Sequence, residues 1–179
     1  MFHSNTELLI DCWRAQAGPR GVLPRAALDI RPFAALAPQL VIVGLRPPGS
    51  FPFRLVGGLV ADLYGRRLVG EDLLSLFGLA SRTELRPTLE TARRGRTTLV
   101  AVATGRTLSG QTADLQLLFA PMAGPNGQVD RFLGLYQPIE PLVRLRGERL
   151  SEITLKSLHP GETDIPRLRL AALNGRQIA

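Results

Sequence analysis

Few side chains in this sequence could perform catalysis or bind a metal. The chain has two histidines, His3 near the N-terminus and His159 in a polar stretch, and one cysteine, Cys12. A Ser-His-Asp arrangement or a multi-histidine metal site would rest on two histidines that we expect to be exposed. One cysteine excludes an internal disulfide and a cysteine-based zinc site, and it fits a reducing compartment. We therefore predict no catalytic residues, no metal site and no enzymatic activity.

The positive charge raises the question of a nucleic-acid partner. The formal net charge is +7, and Lys156 is the one lysine among 22 basic residues, the others being arginine. The arginines are scattered, and the densest cluster, residues 93–96, falls at a predicted helix end where cations favour the helix dipole. We interpret these arginines as solvated surface. The alternative is an arginine-rich nucleotide-binding or nucleic-acid-binding protein that uses residues 93–96 and 144–149.

Residues 51–77 organise the elements that would hold a binding site. The alternation of Phe51, Phe53 and Leu55 with the residues between them predicts a strand with one buried face. Glycines end this strand. Two short helices, separated by further glycines, are predicted to follow and to end near Phe77.

One strand precedes this unit, and a helix and three strands follow it. The apolar run over residues 39–45 predicts a strand buried on both faces. Ser81 and Glu84 have the spacing of a capping box and predict a helix over residues 81–95. Further strands are predicted over residues 97–104, 113–121 and 129–137. This order predicts the α+β class, with a five-stranded antiparallel sheet and short helices on one face.

The glycine and leucine spacing resembles the second strand and following short helices of PAS domains. The residues that carry the resemblance are Arg54, Leu55, Val56, Gly57, Leu59, Tyr64, Gly65, Leu68, Gly70 and Leu73. The similarity extends over residues 22–137, and it points to small bacterial proteins that consist of one PAS domain and little else. It implies a PAS fold and a signalling role. The sequence departs from the family at Gly58 and Leu59, where many PAS domains have an asparagine.

The resemblance also indicates which cofactors to look for. A haem-binding PAS domain would need an axial ligand from the helix that faces its pocket, and residues 81–95 contain no histidine. A flavin photoreceptor would need a cysteine in an asparagine-cysteine-arginine run in the same region, and none is present. We therefore predict no cofactor, although an unidentified small ligand remains open.

A small ligand could lie between the sheet and the helices, because short helices joined by glycines leave space over a curved sheet. The residues expected around it are Tyr64, Leu68, Phe77, Leu85, Leu99, Leu117, Phe119 and Tyr136. The hydroxyls of Tyr64 and Tyr136 would need partners if buried, and Arg54 could reach an anionic ligand if its face turned inward. The alternative is a well-packed core without a ligand.

The two ends of the chain lie outside the PAS-like domain, which we place at residues 21–138. Residues 1–20 predict an amphipathic helix, which is too short to be stable alone and must pack on the domain or on a second copy. Its apolar stripe, the candidate homodimer interface, is Leu8, Leu9, Cys12 and Trp13. Residues 139–179 predict a partly ordered extension with one or two short strands and a loop over residues 159–166.

These observations predict a non-catalytic PAS-domain signalling protein that acts as a small-molecule sensor, a protein-interaction adaptor, or both. The chain contains no kinase or DNA-binding region, so we expect its output to pass through an unknown partner protein. No apolar run is long enough to span a membrane, and Glu7 and Asp11 do not fit a signal peptide. We therefore predict a cytoplasmic location. Because the arginines are scattered, we favour a protein partner over the alternative of a nucleic acid.

Overall fold

The computed structural model describes residues 1–18, 21–46 and 49–161. Its helices are α1 (Ser4–Ala17), α2 (Gly58–Tyr64) and α3 (Leu79–Gly95), and none of them is long and apolar enough to cross a membrane. The strands are β1 (Leu23–Pro24), β2 (Leu40–Gly44), β3 (Phe53–Val56), β4 (Leu99–Thr107), β5 (Thr112–Ala123), β6 (Val129–Pro138) and β7 (Leu150–Pro160). Short 3-10 helices cover Arg25–Ala27, Arg31–Gln39, Leu73–Leu76 and Leu142–Leu145.

The strands form one sheet in the order β3-β2-β6-β5-β4-β7, with every neighbouring pair antiparallel. The two-residue strand β1 pairs in parallel with the end of β5. The predicted α+β class and the five predicted strands, β2 to β6, are confirmed. Strands β1 and β7 add to the five that the sequence indicated.

Both faces of the sheet are covered. The inner face packs against α2, the 3-10 helix Leu73–Leu76 and α3, and it includes Leu117 and Tyr136. The outer face packs against α1 and the 3-10 helix Arg31–Gln39. The sequence predicted helices on one face, so the cover of the outer face is the main addition to the predicted architecture.

Strand β3 departs from the predicted alternation. Ile42 pairs with Leu55 and the next residue, Val43, pairs with Phe53, so Arg54 is an extra residue in the ladder. Such a bulge breaks the two-residue period of side-chain direction. Leu55 is consequently 47% exposed rather than buried beside Phe53. The prediction that Leu55 shares the buried face was therefore wrong.

Strand β7 makes the C-terminal region more ordered than predicted. Its 11 residues pair with the whole of β4, from Thr107 to Leu99. Ile153 is fully buried among the inner-face side chains. His159 lies in this strand and not in a loop. The rest of the predicted extension, residues 162–179, lies outside the described residues, and the division of the chain into domains stays a prediction.

The predicted capping box at Ser81 is wrong. Helix α3 begins at Leu79, with Gly78 as its N-cap. The Ser81 hydroxyl accepts a hydrogen bond from the backbone N–H of Leu155, at 3.0 Å. The backbone N–H of Gly78 donates to the carbonyl of Ile153, also at 3.0 Å. The first turn of α3 therefore binds strand β7, which the sequence pattern around Ser81 did not reveal.

Helix α1 packs on the sheet of its own chain. Leu9 and Trp13 are buried there, and the indole N–H of Trp13 donates to the carbonyl of Pro121 at 2.8 Å. The hydroxyl of Thr6 donates to the side-chain oxygen of Gln116 at 3.1 Å. Leu8 stays 41% exposed. Of the predicted dimer residues, Leu9 and Trp13 are therefore occupied within the chain, while Leu8 and the half-buried Cys12 remain accessible.

Two adjacent glycines before α2 should respond differently to substitution. A Cβ on Gly57 would lie 2.4 Å from the carbonyl oxygen of Pro38, whereas a Cβ on Gly58 would meet nothing within 4 Å. We expect Gly57→Ala to lower the free energy of unfolding by about 1–3 kcal/mol, as overpacking does. Gly58→Ala should leave it unchanged or raise it, because alanine favours a helix.

Chemical denaturation of the two variants beside the unsubstituted protein measures this difference. Equal destabilisation by both substitutions would contradict the close approach of Gly57 to the preceding 3-10 helix.

Candidate ligand site

Eight of the nine predicted pocket residues lie together in the inner-face core. They come from α2, the segment after it, α3 and three strands, and all are buried. They are Tyr64, Leu68, Phe77, Leu85, Leu99, Leu117, Phe119 and Tyr136. This arrangement suits both an apolar ligand site and the alternative of a packed core. Their role in binding stays a prediction.

Tyr64 is positioned by the end of α2. Gly65 follows it with φ +58°, a left-handed conformation that ends the helix, and its N–H donates to the carbonyl of Ala61 at 2.8 Å. The guanidinium of Arg149 donates to the carbonyl of Gly65 at 3.0 Å and lies where a Cβ on Gly65 would be. The segment that leads into β7 thus fixes the C-terminal end of α2, and with it Tyr64.

Tyr136 is positioned by β6, where it pairs with Leu117 of β5. Its hydroxyl and that of Tyr64 are both buried, and neither makes a hydrogen bond of ordinary geometry within the described part of the chain. Burial raises the pKa of both phenols, and the neighbouring Tyr136 raises the pKa of Tyr64 further. The inner core therefore contains two adjacent hydroxyls that interact with each other and have no other partner among the described residues.

Arg54 does not join the other eight residues. Its side chain is exposed and lies over Gly44 of the neighbouring strand, where a Cβ would be 2.7 Å from its Nε atom. The bulge at this position directs the side chain away from the core. A contact between Arg54 and an anionic ligand in the interior is therefore excluded in this conformation.

The cysteine and the histidines lie away from the tyrosine pair. Cys12 packs with the outer-face cluster, so the sheet separates it from Tyr64 and Tyr136. His3 caps α1, its Nδ1 accepting from the N–H of Asn5 at 3.1 Å, and His159 is exposed. Among the described residues, no three side chains of the histidine, cysteine, aspartate and glutamate types come together as metal ligands would.

The surface pockets that the described residues line include three of moderate size, and none of these three is lined by the predicted site residues. The largest, about 620 Å³, lies beside the β5–β6 turn, Gly124–Gly127, and the smallest, about 260 Å³, lies between α2 and the 3-10 helix Leu142–Leu145. The third, about 490 Å³, is lined by Arg46, Arg86, Arg93 and Arg94. The sequence singled out residues 93–96. Arg86 precedes them on the same helix at a spacing that places it on their side. The sequence gave no sign that Arg46 joins them, since folding alone brings Arg46 beside α3.

The chain matches a family profile described as a PAS domain over residues 1–137. The chain belongs to the PAS domain family. The matched region covers α1 and all strands up to β6, apart from the final residue of β6, and it confirms the family that the sequence resembled. No significant match was found among curated protein sequences.

Solved structures with a similar fold include light-oxygen-voltage (LOV) proteins. An RNA-binding LOV receptor aligns with a TM-score of 0.50 and 14% identity, over 71% of this chain and 37% of that one. A LOV protein of Rhodobacter sphaeroides aligns with a TM-score of 0.47 and 16% identity, over 78% of this chain and 69% of that one. A LOV domain studied with a flavin analogue aligns with a TM-score of 0.49 and 20% identity, over 65% of this chain and 88% of that one. At these identities the likeness concerns the fold alone.

The buried phenols of this PAS domain should resist ionisation. The chain has two tyrosines, and both have a raised pKa in the folded state, whereas an unfolded tyrosine ionises near pH 10, about its ordinary pKa. Above that pH the unfolded chain loses protons that the folded chain retains, so stability should fall as the pH rises.

Titration of phenolate absorbance, with circular dichroism to follow the fold, tests this expectation. Phenolate should appear only as the protein unfolds. In urea, the tyrosines should ionise near their ordinary pKa. A tyrosine that ionises near that value in the intact fold would contradict the burial of its hydroxyl.

Proposed function

We propose that this PAS domain protein acts in signalling by binding a small, mostly apolar molecule whose polar group reaches Tyr64 and Tyr136. The observation that carries the proposal is the pair of buried hydroxyls that have no partner except each other. A buried hydroxyl without a hydrogen bond costs about 1–3 kcal/mol. A ligand with one hydrogen-bonding group would remove that cost for both residues. We assign no reaction and no particular cofactor to the chain.

The surroundings of the two tyrosines define the class of molecule. Leu68, Leu85 and Phe119 supply apolar contacts, and the two phenols supply polar groups that would orient a ligand. The pocket between α2 and the 3-10 helix Leu142–Leu145 includes Leu63, the residue before Tyr64. Displacement of the short helix α2 toward this pocket would admit the ligand. Both phenols are neutral at physiological pH, so an uncharged group on the ligand suits them.

Phenylalanine substitutions separate a ligand site from a packed core. In a packed core, Tyr64→Phe and Tyr136→Phe should leave stability unchanged or raise it, because each removes an unsatisfied hydroxyl. If a ligand binds there, the protein purified from its own host should carry a mass excess that the double variant loses. The volume-conserving variant Leu85→Met keeps both hydroxyls and should retain the ligand.

Native mass spectrometry before and after denaturation measures the bound mass in each variant. A mass excess retained by the double phenylalanine variant would place the ligand elsewhere. Bare chains in all samples would overturn the sensor proposal.

The second candidate is an adaptor that works through protein contacts, and the close packing of the eight interior residues favours it. As an adaptor or as a sensor, the protein would act as a cytoplasmic homodimer on a partner signalling protein. We propose that copies meet through the outer side of α1. Leu8 is exposed on this helix and Cys12 is half-buried beside it.

Charge substitution tests the role of α1. Leu8→Glu should convert a dimer to a monomer, because a carboxylate at an apolar contact loses its hydration. Leu108 is 94% exposed in the β4–β5 turn, so Leu108→Glu is a matched control that should leave the dimer intact. Light scattering coupled to size exclusion gives the mass. A Leu8→Glu protein that remains dimeric would place the interface elsewhere.

A further inference from the structure

Four arginines line one cleft near the C-terminal end of α3. Arg86, Arg93 and Arg94 lie on this helix with Glu90, at spacings that place all four on one side. Arg46 comes from the connection between β2 and β3. The cleft has a volume of about 490 Å³, within the range of sites that bind small molecules.

The two carboxylates of the cleft are already paired. Glu90 accepts from the Nε of Arg93 at 2.9 Å. Asp130 accepts through Oδ2 from Arg25, which lies outside the cleft, also at 2.9 Å, and its Oδ1 is buried without a hydrogen-bond partner among the described residues. Among the described residues, Arg46, Arg86 and Arg94 therefore make no ion pair with either carboxylate.

The three remaining arginines are held in different ways. Arg86 donates to the carbonyl of Gly49, which is uncharged, and this bond holds the β2–β3 connection against α3. The guanidiniums of Arg46 and Arg94 make no hydrogen bond or ion pair with described residues. Like charges gathered in a concave site repel each other, and an anion that binds between them relieves this repulsion.

We propose that this cleft binds a compact anion that carries at least two phosphate groups. The planar guanidinium presents paired N–H donors that match two phosphate oxygens at once. Three arginines without a carboxylate partner suit a multiply charged anion better than a single carboxylate. Inorganic pyrophosphate and the diphosphate of a nucleotide share this chemistry.

The surface favours a compact anion over a nucleic acid. A nucleic acid needs a continuous basic track along its backbone. The other arginine cluster, residues 144–149, is engaged elsewhere, since Arg144 pairs with Glu140 and Arg149 binds the carbonyl of Gly65. The basic residues of the cleft form a concave site that does not include residues 144–149. This site is distinct from the tyrosine pair, so its test does not depend on the proposed sensor function.

Calorimetric titration of the full chain with pyrophosphate, and separately with ADP, tests the site. Each should bind in a single saturable event, against a sulfate control at equal ionic strength. Arg46→Gln and Arg94→Gln should each weaken binding by about 10- to 100-fold, the loss expected for a hydrogen bond to a charged group. Arg106→Gln removes the same charge from the exposed opposite end of β4 and should have no effect.

The comparison of the two ligands identifies the source of the phosphates. Equal affinities would mean that the phosphates alone are recognised, whereas tighter binding of ADP would mean that the cleft also contacts the nucleoside. Binding no stronger than that of sulfate would overturn the proposal, as would equal weakening by Arg106→Gln. Nucleic-acid binding would instead be indicated if the affinity for an oligonucleotide rose with its length and was unchanged by Arg46→Gln and Arg94→Gln. That result would overturn the proposal.

Discussion

The need to cover both faces of the central strands determines the rest of this structure. Strand β5 presents Leu117 to the inner face and Leu118 to the outer face, and both residues are fully buried. An apolar face exposed to water would forfeit the main favourable contribution to folding. Helices α2 and α3 cover one side and α1 covers the other, so α1 is part of the fold as well as a candidate surface for contact between chains.

The sequence predicted what local pattern determines, and it missed what depends on contacts between distant segments. The buried run at β2 and the strand-forming composition of β4, β5 and β6 leave local signals, and these strands form as predicted. The bulge at Arg54 leaves no such signal, because one extra residue in a strand changes the direction of side chains without changing their types. Strand β7 was underestimated because mixed polar and apolar residues in an edge strand resemble an extension.

The candidate site shows the same division. Helical and strand periodicity were enough to bring eight residues into one core. They could not distinguish a packed interior from an occupied one, since both require the same apolar side chains. The two buried tyrosine hydroxyls became evident only in the folded chain. The sequence could not predict the basic cleft for a related reason. Arg46 and Arg94 are far apart in sequence, and they come together because α3 packs against the β2–β3 connection.

Both margins of the sheet are closed to a further strand at specific points. At one margin, the N–H of Phe53 donates to the carbonyl of Glu71, and its carbonyl accepts from the N–H of Gly70. At the other, Gly78 and Ser81 occupy the outward backbone groups of Ile153 and Leu155. A strand at the margin of a sheet is otherwise a template for aggregation. The turns before α3 and the first turn of α3 thus oppose growth of the sheet into a fibre, and at these points a partner must bind through side chains and not by adding a strand.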